Sequence, residues 1–193
     1  MLTLWAAAVA AGFWGLWTYA STPGRAERAP ATWPQDSQLA RSPGRWTLVV
    51  FIHPRCPCTS ASLTELEKLQ AHLLEDIDIH IVSIQPRIGA EDWPDTPLVR
   101  RAAAIPGAII GVDVDGHEAR RFHARTSGET LLFDPHGRLA FHGGITASRG
   151  HEGDNPGSDA ILALVAGQSS AAPLACPAFG CPLRSDRDLA SSE

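Results

Sequence analysis

The chain has 193 residues, 44% hydrophobic and 19% charged, which excludes wholesale disorder and fits one domain with extensions or two small domains. The net charge is -5, from 16 Lys and Arg against 21 Asp and Glu, which excludes a nucleic-acid binder of the usual basic kind. Four cysteines are too few to staple a disulfide scaffold, and they fall in two groups, Cys56 with Cys58 and Cys176 with Cys181.

Residues 2–20 carry no charged side chain and have about the length of a bilayer-crossing helix. Trp14, Trp17 and Tyr19 stand near the distal end, where aromatic rings favour a membrane interface. The expectation is a transmembrane anchor over 1–22, with a cleaved signal as the alternative because Thr18-Tyr19-Ala20 has small residues at peptidase spacing. Arg25 and Arg28 follow the segment, so charge asymmetry does not favour export of the C-terminal part; the cysteines do. Residues 23–45 are rich in Pro, Ala, Ser and Arg and read as a tether.

Trp46 to Ile52 is an apolar, β-branched run without polar alternation, which predicts a strand buried on both faces. The turn from His53 to Cys58 follows, then a helix over 59–74 with leucines at helical spacing. Isoleucines alternating with polar residues predict a second strand over 77–84, so the segment 46–84 is a βαβ unit with a parallel pair. A Pro-rich loop over 85–97 leads to a short helix over 98–104, an apolar strand over 105–114 and a helix from 117 to 124. Strands over 129–134 and 139–143 form a hairpin across Pro135-His136-Gly137. A loop over 143–157, long enough to suspect a function, precedes a closing helix over 159–166. The expected organisation is anchor 1–22, tether 23–45, one domain 46–167 and a cysteine-bearing tail 168–193.

Cys56 sits where a strand ends and a helix begins, so its thiolate meets unpaired backbone N–H groups and the positive end of the helix dipole. Arg55 adds a cation beside it, and Pro57 suits a first helical turn. This pattern points to Cys56 as an attacking thiol and Cys58 as the resolving one. A Cys-x-Cys disulfide closes a ring of about 11 atoms, three fewer than Cys-x-x-Cys, so strain should make it easier to reduce. His53, three residues before Cys56, is close enough to line the site. Cys176 and Cys181 read equally as a structural disulfide, a second redox pair or metal ligands. His142, and His151 with Glu152 and Asp154, are candidate acid/base or metal groups, against the simpler reading of a polar loop bonded to itself.

The element order β-α-β, helix, β-β-α is that of the thioredoxin fold. The stretch FIHPRCPC from Phe51 to Cys58 resembles the strand-turn-helix of thioredoxin-like oxidoreductases, with that family's five-residue spacing from Phe51 to Cys56. The span DVDGHEARRFHARTSGETLLFDPHGRLAFHGG resembles membrane-anchored periplasmic thioredoxins of the TlpA type, and GGIT, GHEGDN and FGCPL resemble RedB-type proteins. The resemblance implies an α/β fold, a thioredoxin-like three-layer α/β/α sandwich. It implies a bacterial, membrane-anchored, periplasmic thiol–disulfide oxidoreductase with a redox-active disulfide, no cofactor and a protein dithiol or disulfide as partner. Two departures stand out. The family motif is Cys-x-x-Cys where this chain has Cys-x-Cys. The family's cis-proline falls here on Gly128, preceded by Ser127, which implies a more open site. That opening admits a second class of function, copper handling on the same fold with Cys56, Cys58 and His53 as ligands. A peroxiredoxin-like peroxidase would need a threonine upstream of the cysteine; Pro54 is present, but Thr59 follows Cys56.

Overall fold

The computed structural model describes residues 1–73, 77–87, 93–168 and 175–184. Residue 74, part of the 85–97 loop and most of the tail's flanks lie outside the described residues. The centre is a five-stranded sheet with spatial order β3-β2-β1-β4-β5. Strand β1 (Trp46–Ile52) is its middle, parallel to β2 (Ile77–Gln85) and antiparallel to β4 (Glu129–Phe133). Strand β3 (Ala108–Val114) runs parallel on the outer side of β2, and β5 (Leu139–Gly144) closes a hairpin with β4. The apolar run of β1 divides as its two-residue period requires. Leu48, Val50 and Ile52 face one core, and Val49 and Phe51 face the other.

Helices α2 (Thr59–His72), α3 (Pro97–Ala103) and α5 (Pro156–Val165) cover the first face, with Leu63, Leu66, Leu69, Ala102, Ala160 and Ile161 in its core. Helix α4 (His117–Arg121) covers part of the second face through Ala119 and Phe122. This is a mixed α/β, thioredoxin-like fold. Helix α5 starts three residues before the expected position, because Asn155 caps it by accepting from the Ser158 N–H at 2.8 Å and Pro156 occupies the first turn.

Residues expected to form a free tether complete the second outer layer instead. Trp33 packs edge-on against Phe122 and Phe133, with centroids at 5.0 and 5.1 Å. Its N–H donates to the Gly137 carbonyl, and the Leu139 N–H donates to Ala31. Buried Glu118 accepts from the Ser37 hydroxyl and the Gln38 N–H, and Arg45 pairs with Asp78 at 2.8 Å. An extended segment therefore does what a second helix would do on that face.

Helix α1 (Leu2–Ser21) forms as the sequence predicts, and its side chains are exposed almost throughout. The transmembrane expectation is corrected: among the described residues, no helix is long and apolar enough to cross a membrane. The run has the length, but three tryptophans, two threonines, a tyrosine and two glycines dilute its apolarity. The distal end of α1 touches the domain, where the Arg149 N–H donates to Ala20 at 3.0 Å and the Arg149 guanidinium lies 5.1 Å from the Tyr19 ring.

Candidate functional site

The site lies at the end of β1, where the chain turns into α2. The Cys56 N–H donates to His53, and the N–H groups of Thr59, Ser60 and Ala61 donate to Cys56, Pro57 and Cys58. These tight turns carry the chain into α2, with Cys58 as the residue before its first turn. Beside it, the Gly128 N–H donates to the Phe51 carbonyl at 2.7 Å, which sets Ser127 and the start of β4 against the cysteine turn. All four cysteines are free thiols, and Cys56 and Cys58 are buried.

Burial pushes the Cys56 thiol up, but hydrogen bonds from the Thr59 hydroxyl, the Cys181 N–H and thiol, and the Thr59 N–H outweigh it, leaving the thiol below its ordinary value. The Cys181 N–H stands 3.3 Å from Cys56 Sγ. Cys58 is pushed up by burial and by the charge on Cys56, against the Arg149 cation. Cys181 is pushed up to about 12, by burial and by its hydrogen bond to Cys56. The site thus holds one thiol biased toward thiolate among two biased toward the protonated form.

Two hydroxyls stand behind Cys56. Ser127 Oγ accepts the His53 N–H at 2.7 Å and lies 2.6 Å from Thr59 Oγ1. Either hydroxyl can donate across this contact; a Thr59 hydroxyl that donates to Cys56 accepts from Ser127. In that arrangement the chain His53 N–H, Ser127 O–H, Thr59 O–H points every donor toward the sulfur. Ser127 is a sequence-predicted site residue; Thr59 is not.

The structure also departs from expectation. Position 128 does not open the site. Gly128 adopts φ +90°, and a Cβ there would meet Ser62 Oγ at 2.7 Å. The tail fills the remaining space, with Gly180 so near Ser127 that a Cβ would meet its carbonyl oxygen at 1.9 Å. Arg55 lies over Trp93, 5.4 Å from the ring, and the cation whose charge reaches Cys58 and Cys181 is Arg149. The guanidinium of Arg149 donates to the Gly180 carbonyl, which holds it on the tail. Its loop was suspected from the sequence for His151, Glu152 and Asp154, but these are exposed, and Glu152 accepts from Thr64 Oγ1 at 3.0 Å.

His53 is not brought together with Cys56 and Cys58 as a ligand set. Its ring packs on Trp93 at 4.8 Å, its Nδ1 accepts from the Arg55 N–H, and burial, then the Arg55 charge, lowers its pKa. Among the described residues, no group of three or more His, Cys, Asp or Glu side chains is placed to hold a metal ion.

Cys176 and Cys181 take separate partners. The Cys176 N–H donates to the His142 carbonyl, its side chain packs against the first core, and burial alone pushes its thiol up. Cys181 lies at Cys56. His142 Nε2 pairs with buried Glu129 at 2.5 Å, and the second Glu129 oxygen accepts the N–H groups of Arg125 and Thr126 at 2.7 and 3.0 Å. This buried pair fixes the turn that carries Ser127 into β4. Its sequence signals are His142, a candidate acid/base group, and a charged residue at the start of an apolar strand.

No family model matches the chain, and no curated protein does. Among solved structures, an uncharacterized conserved protein from Geobacillus kaustophilus is similar at 18% identity and TM-score 0.58, over 86% of this chain and 93% of its own. A hypothetical protein from Sinorhizobium meliloti 1021 is similar at 19% identity and TM-score 0.58, over 84% and 93%. A secreted disulfide oxidoreductase of Mycobacterium tuberculosis, homologous to E. coli DsbE, aligns at 14% identity and TM-score 0.44, over 65% and 83%. At these identities the likeness to the first two speaks for the fold alone, and the thioredoxin-like order rests on the sheet itself, β3-β2-β1-β4-β5.

Proposed function

We propose that this chain is a thiol–disulfide oxidoreductase in which Cys56 attacks a disulfide of a partner protein. The observation that carries the reading is the hydrogen-bonded state of Cys56: a buried sulfur receiving the Thr59 hydroxyl, the Thr59 N–H and the Cys181 N–H, with further thiols beside it. A lone buried cysteine would stay protonated and inert. Here the thiolate is prepared before any substrate arrives, and a second thiol is ready to displace the bound product. The Cys-x-Cys motif supplies Cys58 as one such thiol. Pro57 stiffens the turn between the two, and the His53–Ser127–Thr59 chain orients the donors. The reaction needs no cofactor, because electrons pass from two protein thiols to the substrate disulfide.

An open groove lined by Pro54, Cys56, Pro57, Ser60, Leu98 and Arg101 supplies an apolar approach to this end of the sheet and suits a protein segment as substrate. The sequence likeness to TlpA and RedB proteins supports an extracytoplasmic setting, where protein disulfides persist. Turnover of an insulin disulfide by the reduced protein tests the reading. The Cys56→Ser variant is expected to lose the activity, and retention of the wild-type rate would overturn the assignment.

A further inference from the structure

Residues 178–183 of the tail pair with the strand end beside the cysteines. Thr126 and Pro182 form an antiparallel bridge, the Ser127 N–H donates to the Cys181 carbonyl at 2.8 Å, and the Leu183 N–H donates to Arg125 at 2.9 Å. On the other edge the Gly24 N–H donates to Ala178 at 2.8 Å, and Arg149 holds the Gly180 carbonyl. The tail is an extended segment, held on the turn before β4 by this isolated bridge and these backbone bonds. Its register puts Cys181, from 125 residues away in sequence, against the Cys56 sulfur. Cys56 is 2% exposed, and the Cys181 N–H stands 3.3 Å from its sulfur.

We propose that Cys181 is the thiol that resolves the mixed disulfide on Cys56, and that the segment carrying it covers the sulfur until a substrate displaces it. The inference rests on the oxidoreductase reading and adds a third reacting residue to it. In the first step the Cys56 thiolate attacks a substrate disulfide R–S–S–R′. The Cys56–S–S–R bond forms, and R′S⁻ leaves and takes a proton from water. In the second, the tail reseats and Cys181 gives up its proton to water. Its sulfur attacks Cys56 Sγ, so that the Cys56–Cys181 disulfide forms and RS⁻ leaves as a thiol. Two electrons have passed from Cys56 and Cys181 to the substrate, and an external dithiol returns them.

The geometry favours Cys181 over Cys58 for the second step. Cys58 is one residue from Cys56 in a tight turn, and their bridge closes a ring of about 11 atoms. Cys181 comes from a separate segment, whose N–H at this residue stands 3.3 Å from the Cys56 sulfur. Arg149, fixed on the neighbouring carbonyl, stabilises the Cys181 thiolate as it forms. Cys176 takes no part, since its N–H and side chain are engaged elsewhere.

The test is a single turnover of the reduced full chain with oxidised glutathione, quenched in acid, with intact mass and disulfide mapping over time. Cys176→Ser is expected to release glutathione at a rate close to wild type, and the product bridge is expected to map to Cys56–Cys181 rather than Cys56–Cys58. Cys181→Ser is expected to keep glutathione on Cys56 at least about tenfold longer. The Cys58→Ser/Cys181→Ser double variant should accumulate the Cys56 adduct, which shows that Cys56 still folds into a reactive site. The inference is overturned if Cys181→Ser resolves as fast as wild type; the oxidoreductase reading then stands with Cys58 as resolver. That reading itself falls if Cys56→Ser acquires and releases glutathione like the wild type.

Discussion

Replacing Thr59 by valine removes a hydroxyl that donates to Cys56 while keeping nearly the same shape. A hydrogen bond to a charged group contributes about 1.5–3 kcal/mol. At about 1.4 kcal/mol per pKa unit, losing it should raise the Cys56 pKa by roughly 1–2 units. The variant also leaves the Ser127 hydroxyl without its acceptor, 2.6 Å away in the wild type, which should lower stability by about 1–3 kcal/mol. Thiolate ultraviolet absorbance against pH is a selective assay. Cys58, Cys176 and Cys181 are all pushed above the ordinary thiol value, so the first thiolate to appear on raising the pH belongs to Cys56. A first titration step shifted up by a unit or more is expected. An unshifted step would refute the donor chain through Ser127 and Thr59.

Four further predictions follow from the same geometry. Gly180→Ala pushes a methyl against the Ser127 carbonyl, so the tail should lift and iodoacetamide should alkylate Cys56 about tenfold faster, the effect of ~1.4 kcal/mol in opening; an unchanged rate would mean the tail does not guard the sulfur. Glu129→Gln puts an amide where a carboxylate accepts from His142 and two backbone N–H groups, and should cost about 2–4 kcal/mol in urea unfolding, where a change under ~0.5 kcal/mol would count against the buried pair. Trp33→Ala should lower stability by about 2–4 kcal/mol by the same measurement if residues 24–45 are part of the domain, whereas a free tether would give no change.

The fourth concerns pH. Cys56 is held below the ordinary thiol value of 9.0, so between its own pKa and about 9 the unfolded chain binds the extra proton and the stability of the reduced protein rises with pH. Cys181 is held up to about 12, so above 9 the folded chain keeps the proton and stability falls as pH rises. Melting temperatures across this range should therefore show the alkaline fall flattened in Cys181→Ser, and an identical fall in both proteins would contradict the Cys181 environment.

The sheet and the cysteine junction were legible in the sequence because their signals are local. An apolar run with no alternation marks a strand buried on both faces, and Trp46–Ile52 is the central strand. The tail was not legible. Its seat depends on a pairing between Pro182 and Thr126 and on the passage of Gly180 past Ser127, neither of which leaves a periodic pattern. The tether reading of 23–45 failed for a related reason. Pro- and Arg-rich composition looks the same in a free linker as in an extended segment docked by backbone bonds, and Trp33 was the one residue that signalled burial. In the loop over 143–157 the histidine and carboxylates carry the sequence pattern, while the charge that Cys58 and Cys181 feel comes from Arg149, just before that histidine. Length and lack of charge mark α1 as a membrane span, and the aromatic and hydroxyl side chains that dilute its apolarity take it out of that class.

The assignment of Cys56 as the attacking thiol is tested most directly by the second-order rate of reaction with oxidised glutathione at neutral pH. The reduced wild type is compared with four single variants, Cys56→Ser, Cys58→Ser, Cys176→Ser and Cys181→Ser. The expected result is that Cys56→Ser alone abolishes formation of the protein–glutathione adduct, while the other three form it on Cys56. A Cys56→Ser variant that forms the adduct at the wild-type rate would contradict the assignment.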